Sequence, residues 1–120
     1  NAGRFDEVVL GINIDGAGYY KGHIAYSLYD CPTRIADLAH QVFSGHAGFV
    51  EGESWYQGDH GLFLLNRIPA LAFTSELAIE LITEIVHTPK DTPAILDTRK
   101  LSNLAAALHD FLLRLNQLPA

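Results

Sequence analysis

The chain has a single cysteine, Cys31, few basic residues and no long apolar run. One cysteine excludes an intrachain disulfide framework and leaves the redox compartment open. Eight Lys and Arg against fourteen Asp and Glu give a net charge of −6. With no basic cluster, neither a nucleic acid nor an anionic membrane surface is an expected partner. No stretch approaches the roughly 20 apolar residues that span a bilayer. The start also lacks the basic region and apolar core of a secretory signal. Repeats, linkers and low-complexity segments are missing too. What remains is 48% apolar and 18% charged over 120 residues, the composition of one globular domain with a real core. Asn1-Ala2 is expected to be a cloning remnant rather than native sequence.

The stretch Val8 to Gly18 organises the rest. Val8 to Ile14 is nearly continuously apolar, as in a strand buried on both faces, within a first strand drawn from Phe5 to Ile14. It stops at Asp15, followed by Gly16 and Gly18. A carboxylate at the end of a buried strand sits where open α/β sheets place their chemistry; it is also an ordinary turn residue. His23 to Tyr29 alternates and predicts a half-exposed second strand. Cys31-Pro32-Thr33 opens a helix with Ile35, Leu38, Ala39, Val42 and Phe43 on one face. Phe49 to Tyr56 predicts a strand or extended segment.

Asp59 is a candidate cap for a short helix that would bury Leu62, Phe63 and Leu65. Ile68 to Thr74 predicts another buried strand, with Pro69 tolerated near its start. Ser75 to Ile85 reads as helical, with Leu77, Leu81 and Ile82 apolar. Pro89 and Pro93 keep His87 to Thr92 a loop. A final helix, capped by Asp97 or Thr98, carries Leu101, Leu104, Leu108, Phe111, Leu112 and Leu115, and Pro119 lies beyond it. Strands alternating with helices predict an α/β domain, a mixed sheet flanked by helices.

The residues suited to chemistry are Asp15, Glu51 and Glu53, Asp59-His60, His87 and Asp91. Asp, Glu and neutral His are the oxygen and nitrogen ligands of catalytic zinc. Their spacing joins them in no local motif. His60 could equally bond backbone near a helix start, and Asp91 could close an Asx turn on His87 or Thr88. His23, His40, His46 and His109 are assigned no role; His40 and His109 lie on amphipathic helices as surface or boundary residues.

An ordered set of segments carries a resemblance. Asn13-Ile14-Asp15-Gly16 comes first, then Gly58-Asp59-His60 with Phe63, then Ile68-Pro69-Ala70, then His87-Thr88-Pro89-Lys90-Asp91-Thr92 and the terminal amphipathic helix. This order resembles the C-terminal half of the di-zinc aminopeptidases of peptidase clan MH. That group includes the bacterial leucyl aminopeptidases, glutamate carboxypeptidase and glutaminyl cyclase relatives. The resemblance spans nearly the whole chain, and the His-Thr-x-x-Asp-Thr segment is its most specific piece. It implies a partial zinc-peptidase fold of the phosphorylase/hydrolase-like type. It implies that Asp15 ligates one zinc and His87 the other. Asp59 and His60 would lie near the pocket, with Gly58 in place of the family's serine. Asp91 would orient the His87 loop, and Trp55 and Tyr56 would line the pocket.

The remaining family ligands are missing from this sequence. It has no His-x-Asp motif and no Glu-Glu pair, whose first glutamate is the family's general base; Glu51 and Glu53 are separated by Gly52 and follow Asp15. The resemblance therefore implies the C-terminal portion of a peptide-cleaving zinc aminopeptidase, inactive alone and holding zinc weakly. Two other readings stand beside it: a non-catalytic interaction domain that keeps the fold, and a glutaminyl cyclase-type acyltransferase. An uncovered sheet edge further predicts a homodimer or higher oligomer.

Overall fold

A computed structural model describes residues 7–119. Four strands form one mixed sheet: β1 (Gly11–Ile14), β2 (Ile24–Tyr29), β3 (Phe49–Glu51) and β4 (Ala70–Ser75), in the order β1-β4-β2-β3. β4 runs parallel to β1 and antiparallel to β2, and β3 runs parallel to β2. Helix α1 (Thr33–Gly45) makes the crossover from β2 to β3 that a parallel pair requires. Three short helical segments follow: α2 (Gly61–Leu65), α3 (Ala78–Glu80) continued by a π-helical turn (Leu81–Ile85), and a 3-10 turn (Pro93–Ile95). Helix α4 (Thr98–Asn116) closes the fold. The expected α/β class with a mixed sheet is what forms.

The two long helices cover one face of the sheet. Ile35, Leu38, Ala39, Val42 and Phe43 of α1, the residues the periodicity selects, are all buried. They meet Leu104, Ala107 and Phe111 of α4 over Ile24, Tyr26, Leu71 and Phe73 of the sheet. Phe43 lies at the centre, its ring 5.0 Å from Phe73, 5.4 Å from Phe111 and 5.6 Å from Phe49. Asp97 caps α4, accepting the Arg99 N–H at 3.0 Å. That satisfies one of the otherwise orphaned N–H groups of the first turn.

The other face is built from small residues, Gly11, Ala25, Ser27, Ala70 and Ala72, and is only partly covered. Trp55, Phe63 and Leu64 pack on Tyr29, Ala70 and Ala72. A Cβ at Gly11 would stand 2.3 Å from the Phe63 ring, so the close approach of α2 requires glycine there.

Several sequence expectations need correcting. Val8 to Ile14 is not buried throughout: Val8, Val9 and Ile14 are exposed, because β1 stands at the edge of the sheet. Phe5 and Asp6 of the expected first strand, like Asn1-Ala2, lie outside the described residues. β2 is not half-exposed but buried on both faces, because it lies between β4 and β3 and small neighbours admit close packing. Regular strand ends at Glu51 rather than Tyr56. In α2 the inward residues are Phe63 and Leu64, while Leu62 and Leu65 face solvent. Leu101 and Leu112 of α4, and Ile82 after α3, are likewise exposed.

Phe43→Ala should cost about 3–5 kcal/mol, because four aromatic neighbours leave little room for collapse around the cavity. Urea denaturation followed by circular dichroism measures this; a loss under about 1 kcal/mol would contradict the central placement of Phe43.

Candidate functional site

Because β1 and β4 are parallel, the turn after Ile14 and the segment after Ser75 leave the sheet at the same end. Asp15 begins the first of these. Its N–H donates to the Phe73 carbonyl at 3.0 Å, and its carboxylate is exposed. Gly16 follows at φ +74°, in the left-handed region, and a Cβ there would lie 2.9 Å from Leu81 Cδ2. Only glycine lets the Asp15 turn press this closely on the segment beyond β4.

That segment ends at His87. Val86 N–H reaches back to the Leu81 carbonyl at 2.9 Å, the wide bond of a π turn. The chain then reverses at His87, an exposed residue at φ +62°, a conformation strained for a side chain with a Cβ. Thr88 braces the reversal: its hydroxyl donates to the Ile85 carbonyl at 2.5 Å and accepts the Lys90 N–H at 3.2 Å. Asp91 is exposed; its backbone N–H donates to the Thr88 carbonyl at 3.0 Å, and among the described residues its carboxylate makes no hydrogen bond.

Two polar contacts fix the Asp15 loop to its surroundings. The Tyr19 hydroxyl donates to Glu80 Oε2 at 2.8 Å, with Lys21 Nζ 3.4 Å from Oε1. The Tyr19 hydrogen bond, and then the Lys21 charge, hold the Glu80 carboxyl below its ordinary range. The same bond raises the Tyr19 hydroxyl. From the opposite side, Lys100 Nζ donates to the carbonyls of Tyr19 at 2.8 Å, Lys21 at 3.2 Å and Gly22.

A cleft of about 570 Å³ opens beside this end, on the small-residue face. Ala25, Ser27 and Thr74 floor it, and Glu51, Glu53, Trp55 and Glu76 wall it. Glu76 accepts the His23 N–H at 2.6 Å and a bond from His23 Nδ1 at 2.8 Å, which hold its carboxyl below the ordinary range. Two of the other histidines assigned no role join elements, His40 lying 3.0 Å from the Tyr26 hydroxyl and His46 3.2 Å from Asp110, whereas His109 is exposed on α4.

His60 is fully buried and serves as a strut. Its Nδ1 accepts from Asn13 Nδ2 at 2.9 Å, and its Nε2–H donates to the Trp55 carbonyl at 2.5 Å. These partners select the Nε2–H tautomer. The Trp55 ring stands edge-on to the imidazole at 4.4 Å, and the Tyr29 ring lies at 4.8 Å. Tyr29 Oη bonds both the N–H and the carbonyl of Trp55 at 2.8 Å, and Ser27 Oγ meets the same oxygen at 2.8 Å. Asp59, next to His60, is exposed and does not cap α2. Only its carbonyl takes part, accepting the Leu62 N–H at 3.1 Å. Tyr56 is exposed and packs edge-on to Tyr29 at 5.4 Å.

The network of Asn13, Ser27 and Tyr29 around His60 was missed by sequence reasoning. Its signal was present: an asparagine inside an apolar strand needs a buried partner. Among the described residues, no group of three or more His, Cys, Asp or Glu side chains is placed to hold a metal ion.

Asn13→Ala should destabilise by about 1–3 kcal/mol, because it strips the buried Nδ1 of its donor. Urea unfolding checks this. Glu76 and Glu80 have folded pKa values below their unfolded ones. Their contribution is present above the ordinary carboxylate value of about 4 and is lost as pH falls through the folded values. Tm should therefore drop on acidification below about pH 4, less steeply in Glu80→Gln. No family model matches the chain, and no curated protein or solved structure matches it at a significant level.

Proposed function

We propose that this chain is the C-terminal portion of a zinc-dependent aminopeptidase that removes N-terminal residues from peptides. In this reading Asp15 serves one zinc and His87 the other. The observation that carries it is the packing of the Asp15 turn on the segment that ends at His87, with Gly16 at φ +74° against Leu81. An exposed carboxylate at the end of a parallel strand and an exposed imidazole on a left-handed reversal thereby belong to two segments in contact.

The donors suit zinc in kind, being oxygen and nitrogen, but not in number. Catalytic zinc takes about three protein ligands, and this chain offers one to each metal. The missing ligands and the general base come from polypeptide outside these 120 residues. When bound, zinc would lower the pKa of a water and polarise the scissile carbonyl.

The chain's own part is support and enclosure. Thr88 holds the His87 reversal, Tyr19 and Lys100 hold the Asp15 loop, and the His60 network fixes Trp55 at the cleft wall. In this reading Asp59, His60, Trp55 and Tyr56 belong near the pocket and Asp91 orients the His87 loop; of these Trp55 alone lines the cleft described above. The exposed carboxylates Glu51 and Glu53 at the cleft rim do not supply the base.

Purified chain dialysed against trace zinc should retain close to none by elemental analysis and should not cleave aminoacyl-anilides. Zinc near one or two per chain, or turnover in a protease-free preparation, would overturn the incomplete-site reading. Residual binding measured by calorimetry should weaken in both Asp15→Asn and His87→Ala, with circular dichroism unchanged. If neither variant alters binding, the ligand assignment fails.

A further inference from the structure

The cleft on the small-residue face holds about 570 Å³, within the roughly 300–1,000 Å³ of sites that take small molecules. Strand register fixes what faces it. Ala25 pairs with Val50 on one side and Thr74 on the other, so these side chains share the floor with Ser27, two positions along β2. Tyr26 turns to the opposite face. Glu51 pairs with Tyr26 and follows it there, its carboxylate 3.7 Å from His40 Nε2. The charge in the cleft is therefore that of Glu53 and Glu76.

Hydrogen bonding decides what the floor offers. The Tyr29 hydroxyl has one proton, and it goes to the Trp55 carbonyl at 2.8 Å, since a carbonyl has none to give. The Ser27 hydroxyl lies 2.8 Å from the same Tyr29 oxygen and must donate its own proton to it. Ser27 is 3% exposed and lines the cleft, and it keeps only lone pairs for any further partner. Glu76 is in a like position. Its Oε1 takes both bonds from His23, and among the described residues its Oε2 has no hydrogen-bond partner. The exposed carboxylate of Glu53 has none there either. No lysine, arginine or histidine side chain lines the cleft.

We infer that this cleft binds a small organic cation, an ammonium or guanidinium head on a short apolar stem. Such a head only donates hydrogen bonds, and Ser27, Glu53 and Glu76 only accept them. The stem suits Ala25, Val50 and Ile79, and the Trp55 indole supplies an aromatic wall for the charge. An anion would meet two carboxylates, and a neutral ligand would leave both without a counter-charge.

This inference does not depend on the zinc reading, and its test is run in EDTA. Trp55 is the chain's one tryptophan, so intrinsic fluorescence reports on the cleft wall. Titration with butylguanidinium at low salt should change the emission saturably. Butylurea, the same shape without the charge, should not. Glu53→Gln should weaken butylguanidinium binding about fivefold or more. Glu84→Gln, the same charge change at an exposed residue outside the cleft, should alter it by less than about twofold. Ile79 is 80% exposed, so Ile79→Arg spares the core, sets a fixed cation on the cleft wall and should abolish binding. N-acetyl-arginine amide separates the two sources of such a head. If it binds, the site takes the side chain of a peptide; if butylguanidinium alone binds, the site takes a free cation. The absence of a saturable change with butylguanidinium would overturn the inference. So would an equal response to butylurea, equal weakening in Glu53→Gln and Glu84→Gln, or binding that survives Ile79→Arg.

Discussion

The imidazole of His60 is held at both nitrogens, by the Asn13 amide on one side and the Trp55 carbonyl on the other. Around this bond the second face of the sheet is assembled. A buried polar ring is costly unless fully satisfied, and here full satisfaction requires β1, the loop before α2 and the Tyr29 hydroxyl of β2 to be in place together. The small side chains of that face make the arrangement possible, since they leave room for the Trp55 and Phe63 rings to pack on Ala70 and Ala72. The layer opposite the long helices is thus specified by polar geometry, whereas the α1–α4 layer is specified by aromatic packing on Phe43.

The end of the sheet that carries Asp15 and His87 is held by a different device. Glycine at position 16, a π turn and a tyrosine–glutamate bond press two loops together without strand pairing between them. Backbone strain at His87 is tolerated because Thr88 ties the reversal on both sides. Such a place costs stability and leaves a carboxylate and an imidazole exposed to solvent.

The sequence made some of this plain and hid the rest for identifiable reasons. α1 and α4 were legible because a 3.6-residue apolar period, a proline start and an aspartate cap report directly on local geometry. Asp15 was legible as a strand-end carboxylate. The edge position of β1 was not, because burial of an apolar run depends on which strands lie beside it, and that is a property of topology. β2 differs for the same reason: its alternation, with His23, Ser27 and Tyr29 on one face, reads as half-exposed, but neighbours on both sides bury the strand. His60 reads from the sequence as a pocket residue with a backbone-bonding alternative; in the fold it makes that backbone bond, to the Trp55 carbonyl, and is fully buried. The left-handed backbone at His87 is not legible from the sequence, since histidine only favours that region relative to other side chains and Asp30 and Arg67 adopt it as well.

Lys100 shows how narrow a surface residue's tolerance can be. Its ammonium group addresses three carbonyls of one loop, those of Tyr19, Lys21 and Gly22, as the oxygens of a crown ether hold an ammonium ion stripped of water. The tripod suits the tetrahedral geometry of –NH₃⁺ and not the flat fork of a guanidinium. Arginine keeps the charge at this position and loses the fit. Among variants of this chain, position 100 should therefore read as a shape constraint disguised as a charge.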